Sequence, residues 1–305
     1  MDAPTFIVAG AQKSATTWLY ECLNEHPDVI VPQIKELHFF CNEELCPKSR
    51  WGKGFDWYSE QFASNGPQTV AGELSIDYMY FPDTAEKLHR YNPDLKVLFI
   101  LRDPVERAYS AYWMGRRSQD SYPPFSEFVR PDSDFVARGF YHRQIQRYLE
   151  YFPAEQLKVL IYEDIPKDPY AFLSEVFEFI GVAPDFRPNS AKQIIAETRD
   201  VGRFRRKLIY RFAQKALKFP PLLWAWRKFK HLTGVKQAKA GAEPSRKYPP
   251  MTEEQFQALS DIYAPETKAL FRFLGRFVGE WKSAAGLAAH TDGAALREQE
   301  RRRAG

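Results

Sequence analysis

The chain has 305 residues, of which 44% are hydrophobic and 27% are charged, and its net charge is only +4. These values are typical of a soluble globular protein of one large or two small domains, and an aromatic content of 15% excludes wholesale disorder. No apolar run is long enough to span a bilayer, and the N-terminus lacks the basic segment of a secretory signal. The sequence therefore predicts a cytoplasmic protein, with or without peripheral contact with a membrane.

Strands and helices are predicted to alternate along the first 180 residues. The apolar segments that read as buried strands are Phe6–Ala9, Gln68–Leu74, Leu95–Leu101 and Leu157–Tyr162. The helical patterns between and after them are Thr16–Asn24, Thr84–Tyr91, Val105–Arg116, Tyr141–Phe152 and Tyr170–Ile180. This alternation predicts an α/β fold with a central, mostly parallel sheet flanked by helices, which is a three-layer arrangement. Ligands of such sheets bind at the carboxyl ends of the strands.

The C-terminal third is predicted to continue the same domain, which spans residues 1–283. Basic helical patterns cover Arg203–Lys218 and Leu222–Leu232, and a capping box at Thr252 begins a last helix that runs to about Leu274. The remaining residues, 284–305, are small, polar and charged, and are predicted to form a frayed tail.

Positive charge is concentrated in residues 199–247, which form a basic arm within the domain. This arm holds 15 lysines and arginines against two acidic residues, a net charge of +13. One interpretation is contact with a polyanionic partner or an anionic surface. The alternative is a pair of amphipathic helices that pack on the sheet and expose a solvated basic face.

Three cysteines, Cys22, Cys41 and Cys46, are too few and too scattered for a disulfide framework and favour reduced thiols. Cys41 and Cys46 could supply two metal ligands. No second Cys/His pair at zinc-finger spacing follows them, so the sequence predicts no metal.

The strongest local motif is Gly10-Ala-Gln-Lys-Ser-Ala-Thr-Thr-Trp18, which follows the first strand and opens the first helix. A strand–loop–helix turn of this kind directs backbone N–H groups and the positive end of the helix at an anion. It is not a Walker A loop, because Ala15 and Thr16 stand where that motif requires Gly and Lys. A plain capped helix remains the alternative for the loop taken alone.

A second basic signal follows the third predicted strand, where Arg102 stands at the strand end and Ser110 lies two turns into the next helix. A cation beside a helix N-terminus suits a second phosphate group. A surface ion pair with Asp103 or Glu106 is the alternative.

Together these motifs resemble the sulfotransferases that use 3′-phosphoadenylyl sulfate (PAPS), and are most similar to bacterial relatives of the heparan-sulfate N- and 3-O-sulfotransferase branch. The resemblance covers Thr5 to Trp281. The matching segments are Lys13–Thr17, His26–Val29, Lys35–Phe40, Gly54–Tyr58, Leu101–Ser110 and Arg246–Pro249.

The resemblance implies a P-loop-like fold, PAPS as co-substrate and no metal. The residues implied to bind the 5′-phosphosulfate are Lys13, Ser14, Ala15, Thr16, Thr17 and Trp18. Those implied to bind the 3′-phosphate are Arg102 and Ser110, and those implied to close over the nucleotide are Arg246, Lys247 and Tyr248. The implied acceptor carries a hydroxyl or an amine, on a glycan, a lipid or a small natural product.

Glu73 is the candidate general base by the same resemblance, with Lys13 stabilising the leaving oxygen and His142 as a further catalytic candidate. Asp77 is a weaker site candidate, and Gln144 is an alternative occupant of the position of His142. Ala15 departs from the glycine usual in the family, which is tolerable if its φ is not positive. Leu74 and Ile76 replace the Lys and Pro of the family pattern around Glu73.

Two other functions stay open from the sequence. One is a P-loop kinase or nucleotide hydrolase, against which the missing Walker Lys-Ser/Thr counts. The other is a module that binds nucleic acid or membrane through residues 199–247; this reading leaves Glu73 and the first loop unexplained, and no nucleic-acid partner is expected. The sequence leaves the oligomeric state open.

Overall fold

A computed structural model describes residues 4–63, 69–117, 122–192 and 248–284. The chain divides into two compact units, one formed by Met1–Ile195 with Met251–Gly305 and the other by Ala196–Pro250. The described residues belong almost entirely to the first unit. The basic arm, with Arg246 and Lys247, lies outside the described residues, as do residues 285–305 of the predicted tail, so the predictions made for them stay predictions. Ala284, the first residue of that predicted tail, is described and is buried rather than frayed.

The sheet in the described part of the chain has five parallel strands in the order β2-β3-β1-β4-β5. The strands are β1 (Phe6–Gly10), β2 (Val29–Ile30), β3 (Val70–Leu74), β4 (Lys96–Leu101) and β5 (Leu157–Ile161). The parallel sheet and its four longer strands confirm the prediction. β2 was not predicted, because two residues are too few to produce a pattern.

Helices connect the strands and cover both faces of the sheet. Within the described residues they are α1 (Thr16–Glu25), α2 (Gly54–Glu60), α3 (Thr84–Tyr91), α4 (Pro104–Arg116), α5 (Asp134–Ala137), α6 (Tyr141–Leu149), α7 (Pro169–Ile180) and α8 (Glu253–Leu274). The capping box at Thr252 is present, with its side chain bonded to the Gln255 amide. In the segments described, no helix has the length and apolarity that a membrane crossing needs.

Two hydrophobic cores lie on the two faces of the sheet, and residues alternate between them along each strand. One core takes Ile7 of β1 together with residues of α3, α6 and α8, and the other takes Val8 together with residues of α1 and α7. β3 is wholly buried, yet its fourth residue is Glu73, which is 1% exposed. A carboxyl in the middle of an apolar core needs a compensating network, and that network marks the site.

Candidate active site

The strand order places three predicted features side by side. β1 lies between β3 and β4, so the loop after β1 has Glu73 of β3 on one side and Arg102, just after β4, on the other. Glu73 is in register with Ile7, a little inside the carboxyl edge of the sheet. Because Glu73 is also buried, it is not a solvated charge at a strand end.

The loop after β1 is built for close approach and sharp turning. A Cβ at Gly10 would come within 2.8 Å of the Met79 Cβ, so glycine is required where the segment after β3 crosses β1. Lys13 and Ala15 adopt left-handed backbone conformations, with φ of 70° and 59°. Ala15 is the N-cap of α1 and supplies no side-chain bond, so the first-turn amides of α1 remain available to an anion.

An alanine in place of the family's glycine would be unstrained at position 15 only if its φ were negative. The φ of Ala15 is positive, so the alanine is strained. A left-handed non-glycine residue costs about 1–2 kcal/mol. We expect Ala15→Gly to raise the free energy of unfolding by about 0.5–1 kcal/mol, since the relief of strain exceeds the extra entropy of an unfolded glycine. Urea unfolding measures this difference.

A matched control is Ala111→Gly in α4, where the backbone is helical and the residue is buried. That change is expected to lower the free energy of unfolding by about 1 kcal/mol or more. If Ala15→Gly destabilises the protein as Ala111→Gly does, the left-handed conformation at Ala15 is not strained.

A buried hydroxyl inside the loop has no protein partner. Ser14 is fully buried, and its Oγ has no hydrogen-bond partner among the described residues. Buried hydroxyls are normally satisfied, so an unmatched one in this loop fits a ligand oxygen. Thr16, which is 5% exposed, opens α1 two residues later and places a second hydroxyl at the start of the helix.

Lys13 and Arg102 form the positive part of the site. The Arg102 guanidinium donates to the backbone oxygen of Lys13 at 3.3 Å and lies over the Tyr162 ring, 4.9 Å from its centroid. Burial lowers the pKa of Lys13, and the neighbouring charges of Arg102 and Arg117 lower it further. Ser110, 8% exposed on α4, completes the predicted second phosphate position. The ion pair that the sequence left as the alternative is also present, since the Arg102 guanidinium lies 3.7 Å from the Glu106 carboxylate.

Trp18 and Tyr248 are two further residues that the resemblance implied in nucleotide binding. The Trp18 indole lies in a hydrophobic core, where it donates to the Ser190 oxygen at 3.1 Å and packs edge-to-face on Phe172. The indole is therefore engaged within the core, and the nucleotide contact predicted for Trp18 stays a prediction. Tyr248 is described but belongs to the second unit.

Glu73 accepts hydrogen bonds from three hydroxyl groups. Tyr58 Oη donates at 2.6 Å and Tyr78 Oη at 2.8 Å, and Ser75 Oγ forms the third, shorter bond. Burial raises the pKa of Glu73, while the three hydroxyl donors pull that pKa downward by stabilising the anion. Burial is the larger effect, so the carboxylate is more basic than an exposed one, and the three hydrogen bonds hold it in place.

A second layer of charged groups surrounds this carboxylate. The Ser75 hydroxyl also accepts from the His38 backbone N–H at 3.0 Å, which joins the loop after β2 to Glu73. The His38 ring lies between Glu36 and Asp77, 3.4 Å from an oxygen of each. Asp77 in turn pairs with Arg138 at 2.5 Å. Asp77 is therefore brought to the site, although its contacts lie behind Glu73.

His142 is on α6 and contacts residues outside this cluster. Its Nε2 lies 3.4 Å from the Gln146 amide nitrogen, and its ring packs against Phe273 of α8. Gln144 is buried and donates to the backbone oxygens of Ala137 and Phe140. These contacts do not support the catalytic role predicted for His142, which stays a prediction. The contacts of Gln144 give it a structural role.

Three residues of the cluster were not predicted as functional: Tyr58, Ser75 and Tyr78. Each belongs to a segment that the resemblance had singled out, since Tyr58 ends the Gly54–Tyr58 match and the other two follow Glu73 in its motif. A rule that looks for hydroxyl donors around a buried strand carboxylate would have found Ser75 and Tyr78. Tyr58 reaches Glu73 from α2, which only the fold reveals.

The fold and site together define a class of protein. A parallel sheet with a strand–loop–helix turn after its first strand, and a cation after the neighbouring strand, is a P-loop-like arrangement. The family model for the sulfotransferase domain matches residues 3–271. The chain therefore belongs to the sulfotransferase domain family, as the sequence motifs predicted.

Individual relatives agree with this assignment. The chain is 30% identical over 294 residues to a bifunctional heparan sulfate N-deacetylase/N-sulfotransferase 4 of Mus musculus, covering 90% of this chain and 30% of that protein. It is 30% identical over 193 residues to a human heparan sulfate glucosamine 3-O-sulfotransferase 5, covering 59% of this chain and 54% of that protein. The chain thus spans about half or less of these curated relatives.

A solved structure shares the fold. The sulfotransferase from Alicyclobacillus acidocaldarius superposes with a TM-score of 0.67 at 24% identity, covering 92% of this chain and all of that one.

Proposed function

We propose that the protein transfers a sulfuryl group from PAPS to a hydroxyl or amine of a glycan. The observation that carries the proposal is the juxtaposition, on three adjacent strands, of an anion-binding loop, a cation and a buried carboxylate held by three hydroxyl groups. Membership of the sulfotransferase domain family supports it. Two of the relatives are named as N- and 3-O-sulfotransferases of heparan sulfate, which favours a glycan among the acceptor classes.

The nucleotide is proposed to bind through two anion positions. The loop amides, the unmatched Ser14 hydroxyl and Lys13 hold the 5′-phosphosulfate, and Arg102 with Ser110 holds the 3′-phosphate. The Arg102 guanidinium is already oriented by the Tyr162 ring, the Lys13 oxygen and the Glu106 carboxylate, so little side-chain entropy is lost on binding.

The transfer is proposed to proceed in line. The acceptor oxygen or nitrogen forms a bond to sulfur, the bond from sulfur to the phosphate oxygen breaks, and Glu73 takes the acceptor proton. The leaving group is adenosine 3′,5′-bisphosphate, whose new negative charge is stabilised by Lys13. A carboxylate offers about four lone-pair directions. The three hydroxyl donors fill three of these directions, which leaves one for the acceptor proton.

A groove beside the segment after β3 suits the acceptor. It encloses about 700 Å³ and is lined in part by the rings of Tyr80 and Phe81 and by the side chains of Arg143 and Arg147. Aromatic faces pack against sugar rings. Arg143 already pairs with Glu266 at 2.7 Å, Arg147 donates to the backbone oxygens of Met79 and Tyr80, and Asp134 also lines the groove. The aromatic rings are therefore the feature of the groove that supports a glycan as acceptor.

Two measurements test the proposal. Isothermal titration with adenosine 3′,5′-bisphosphate and with Mg-ATP separates a sulfotransferase from a kinase, and binding of the first compound only is expected. Radiolabelled PAPS is then offered with a polymer of alternating glucuronic acid and glucosamine, either N-acetylated or with free amines. Label in the polymer is expected, and preferential binding of Mg-ATP with no label in either polymer would overturn the proposal.

The hydroxyl donors give the proposed base a pH signature. The titratable groups that interact electrostatically with Glu73 are Tyr58, Tyr78, Tyr91, His38 and Cys41. Tyr58→Phe removes a donor that favours the anion, so the pKa of Glu73 rises. The acidic limb of the profile of kcat/KM against pH is therefore expected to move to higher pH.

Tyr263→Phe is the matched control for this change. Tyr263 is buried like Tyr58, and its hydroxyl donates to the Val136 oxygen rather than to Glu73. Its profile should coincide with that of the wild type. If the acidic limb does not move in Tyr58→Phe, or moves equally in both variants, then Glu73 is not the group whose ionisation controls kcat/KM.

A further inference from the structure

Three metal-binding side chains meet beside the transfer site without a part in the proposed reaction. The ligand atoms of His38, Cys41 and Cys46 all lie within 4.8 Å of one another. The three residues are 3%, 0% and 4% exposed. Two thiols and an imidazole, buried together in one irregular loop, form a soft donor set.

Asp77 supplies a fourth donor from a distant part of the chain. Its Oδ2 lies 3.4 Å from the His38 Nδ1, and the same nitrogen lies 3.8 Å from the Cys41 Sγ. Around a tetrahedral zinc ion with ordinary bond lengths, nitrogen and oxygen ligands are about 3.3 Å apart and nitrogen and sulfur ligands about 3.6 Å apart. These two separations are close to edges of a tetrahedron. Asp77 lies outside the group of ligand atoms that are all within 4.8 Å of one another, so its carboxylate would move toward the thiols when an ion binds.

The groups behind the four donors are those that a metal site uses to orient its ligands. The second ring nitrogen of His38, Nε2, lies 3.4 Å from the Glu36 carboxylate, which would fix the ring with Nδ1 toward the ion. The other oxygen of Asp77, Oδ1, bonds to Arg138. Two thiolates and one carboxylate around a divalent cation leave a single negative charge, and the Arg138 guanidinium offsets it.

We propose that His38, Cys41, Cys46 and Asp77 bind one zinc ion in a closed, structural site. Zinc is the cation that fits sulfur and nitrogen donors in a tetrahedron, whereas magnesium and calcium prefer oxygen. Four protein ligands leave no open position, so the ion takes no part in the transfer. Binding displaces the protons of the two thiols.

The ion would hold in place a loop that the transfer site depends on. Glu36 and His38 both have positive φ values, of 65° and 52°, so the loop is not a conformation that its residues adopt freely. The His38 N–H bonds to Ser75, and Ser75 bonds to Glu73. Zinc at His38 and Asp77 thus joins the loop to the segment after β3. This inference is independent of the proposed function, because it concerns binding and stability.

Metal content after dialysis tests the inference directly. The full chain, with any affinity tag removed, is incubated with zinc, dialysed and analysed by inductively coupled plasma mass spectrometry. We expect close to one zinc per chain in the wild type and a loss of most of it in Cys41→Ser and Cys46→Ser. Cys22→Ser is the matched control, because Cys22 is an equally buried free cysteine on α1 and should leave the zinc content unchanged.

Cobalt provides a second readout on the folded wild type that does not depend on the stability of any variant. Loading with cobalt(II) should give a thiolate-to-cobalt charge-transfer band and the intense visible bands of a tetrahedral site. A strong chelator should remove the metal and lower the Tm of the wild type and of Cys22→Ser. Folded wild type that retains no zinc and shows no charge-transfer band, or a disulfide between Cys41 and Cys46 in protein prepared with reductant, would overturn the inference.

Discussion

Glu73→Gln is expected to lower turnover by about 10²–10⁴, the scale of general acid–base catalysis, with affinity for adenosine 3′,5′-bisphosphate nearly unchanged. Glutamine keeps the length and shape of the side chain but cannot accept the acceptor proton. The nucleotide is proposed to bind through the loop after β1 and through Arg102, which the substitution does not touch. Loss of turnover without loss of binding is therefore the specific signature of a missing base.

The surroundings of Glu73 make the substitution structurally mild. Each hydroxyl of Tyr58, Ser75 and Tyr78 can rotate to donate or accept, so an amide at this position still finds partners. Burial raises the pKa of Glu73 and makes it a stronger base. The same burial excludes water, which would otherwise compete for the sulfuryl group.

Glu163→Gln is the control for removing a buried carboxylate in general. Glu163 follows β5, its pKa is raised by burial, and it accepts from the Trp281 indole and the Asp103 amide. Its substitution is expected to lower turnover less than tenfold. Single-turnover rates with saturating PAPS measure both variants. If Glu73→Gln retains most of its turnover, the base lies elsewhere, and His142 or Asp77 becomes the next residue to test.

The sequence was sufficient to predict the parallel sheet and the position of the loop between β1 and α1, because both are local patterns. An apolar run such as Lys96–Leu101 can only be buried on both faces, and the loop motif sits directly between β1 and α1. It was not sufficient for β2, whose two residues pair with β3 only in the fold. The positive φ of Ala15 is also invisible in the sequence, since alanine gives no sign of a left-handed turn.

The environment of Glu73 shows why sites are harder to predict than elements. The residue itself was predicted from a motif, but its partner Tyr58 lies 15 positions earlier, on a helix that gave no clear pattern. The proposed zinc donors show the same limit. A search for a second Cys/His pair at zinc-finger spacing passes over His38, and it cannot reach Asp77, which joins the cluster from beyond β3.

Arg102→Ala is expected to weaken adenosine 3′,5′-bisphosphate binding by about 10- to 150-fold, which corresponds to the loss of about 1.5–3 kcal/mol from charge-assisted hydrogen bonds. Adenosine 5′-phosphate, which lacks the 3′ group, should bind almost as tightly to the variant as to the wild type. The positive charge of Arg102 lowers the pKa of Lys13, so its removal does not reduce the charge available to the 5′ side.

Competition titrations with the two nucleotides measure this difference, and two further variants interpret it. Arg102→Lys keeps the charge but loses the planar fork and the packing on the Tyr162 ring, so its loss should be intermediate. Arg90→Ala removes an arginine whose side chain is 78% exposed on α3 and should leave both affinities unchanged. Equal losses for the two nucleotides in Arg102→Ala would mean that Arg102 supports the loop after β1 through the Lys13 oxygen, rather than binding the 3′-phosphate.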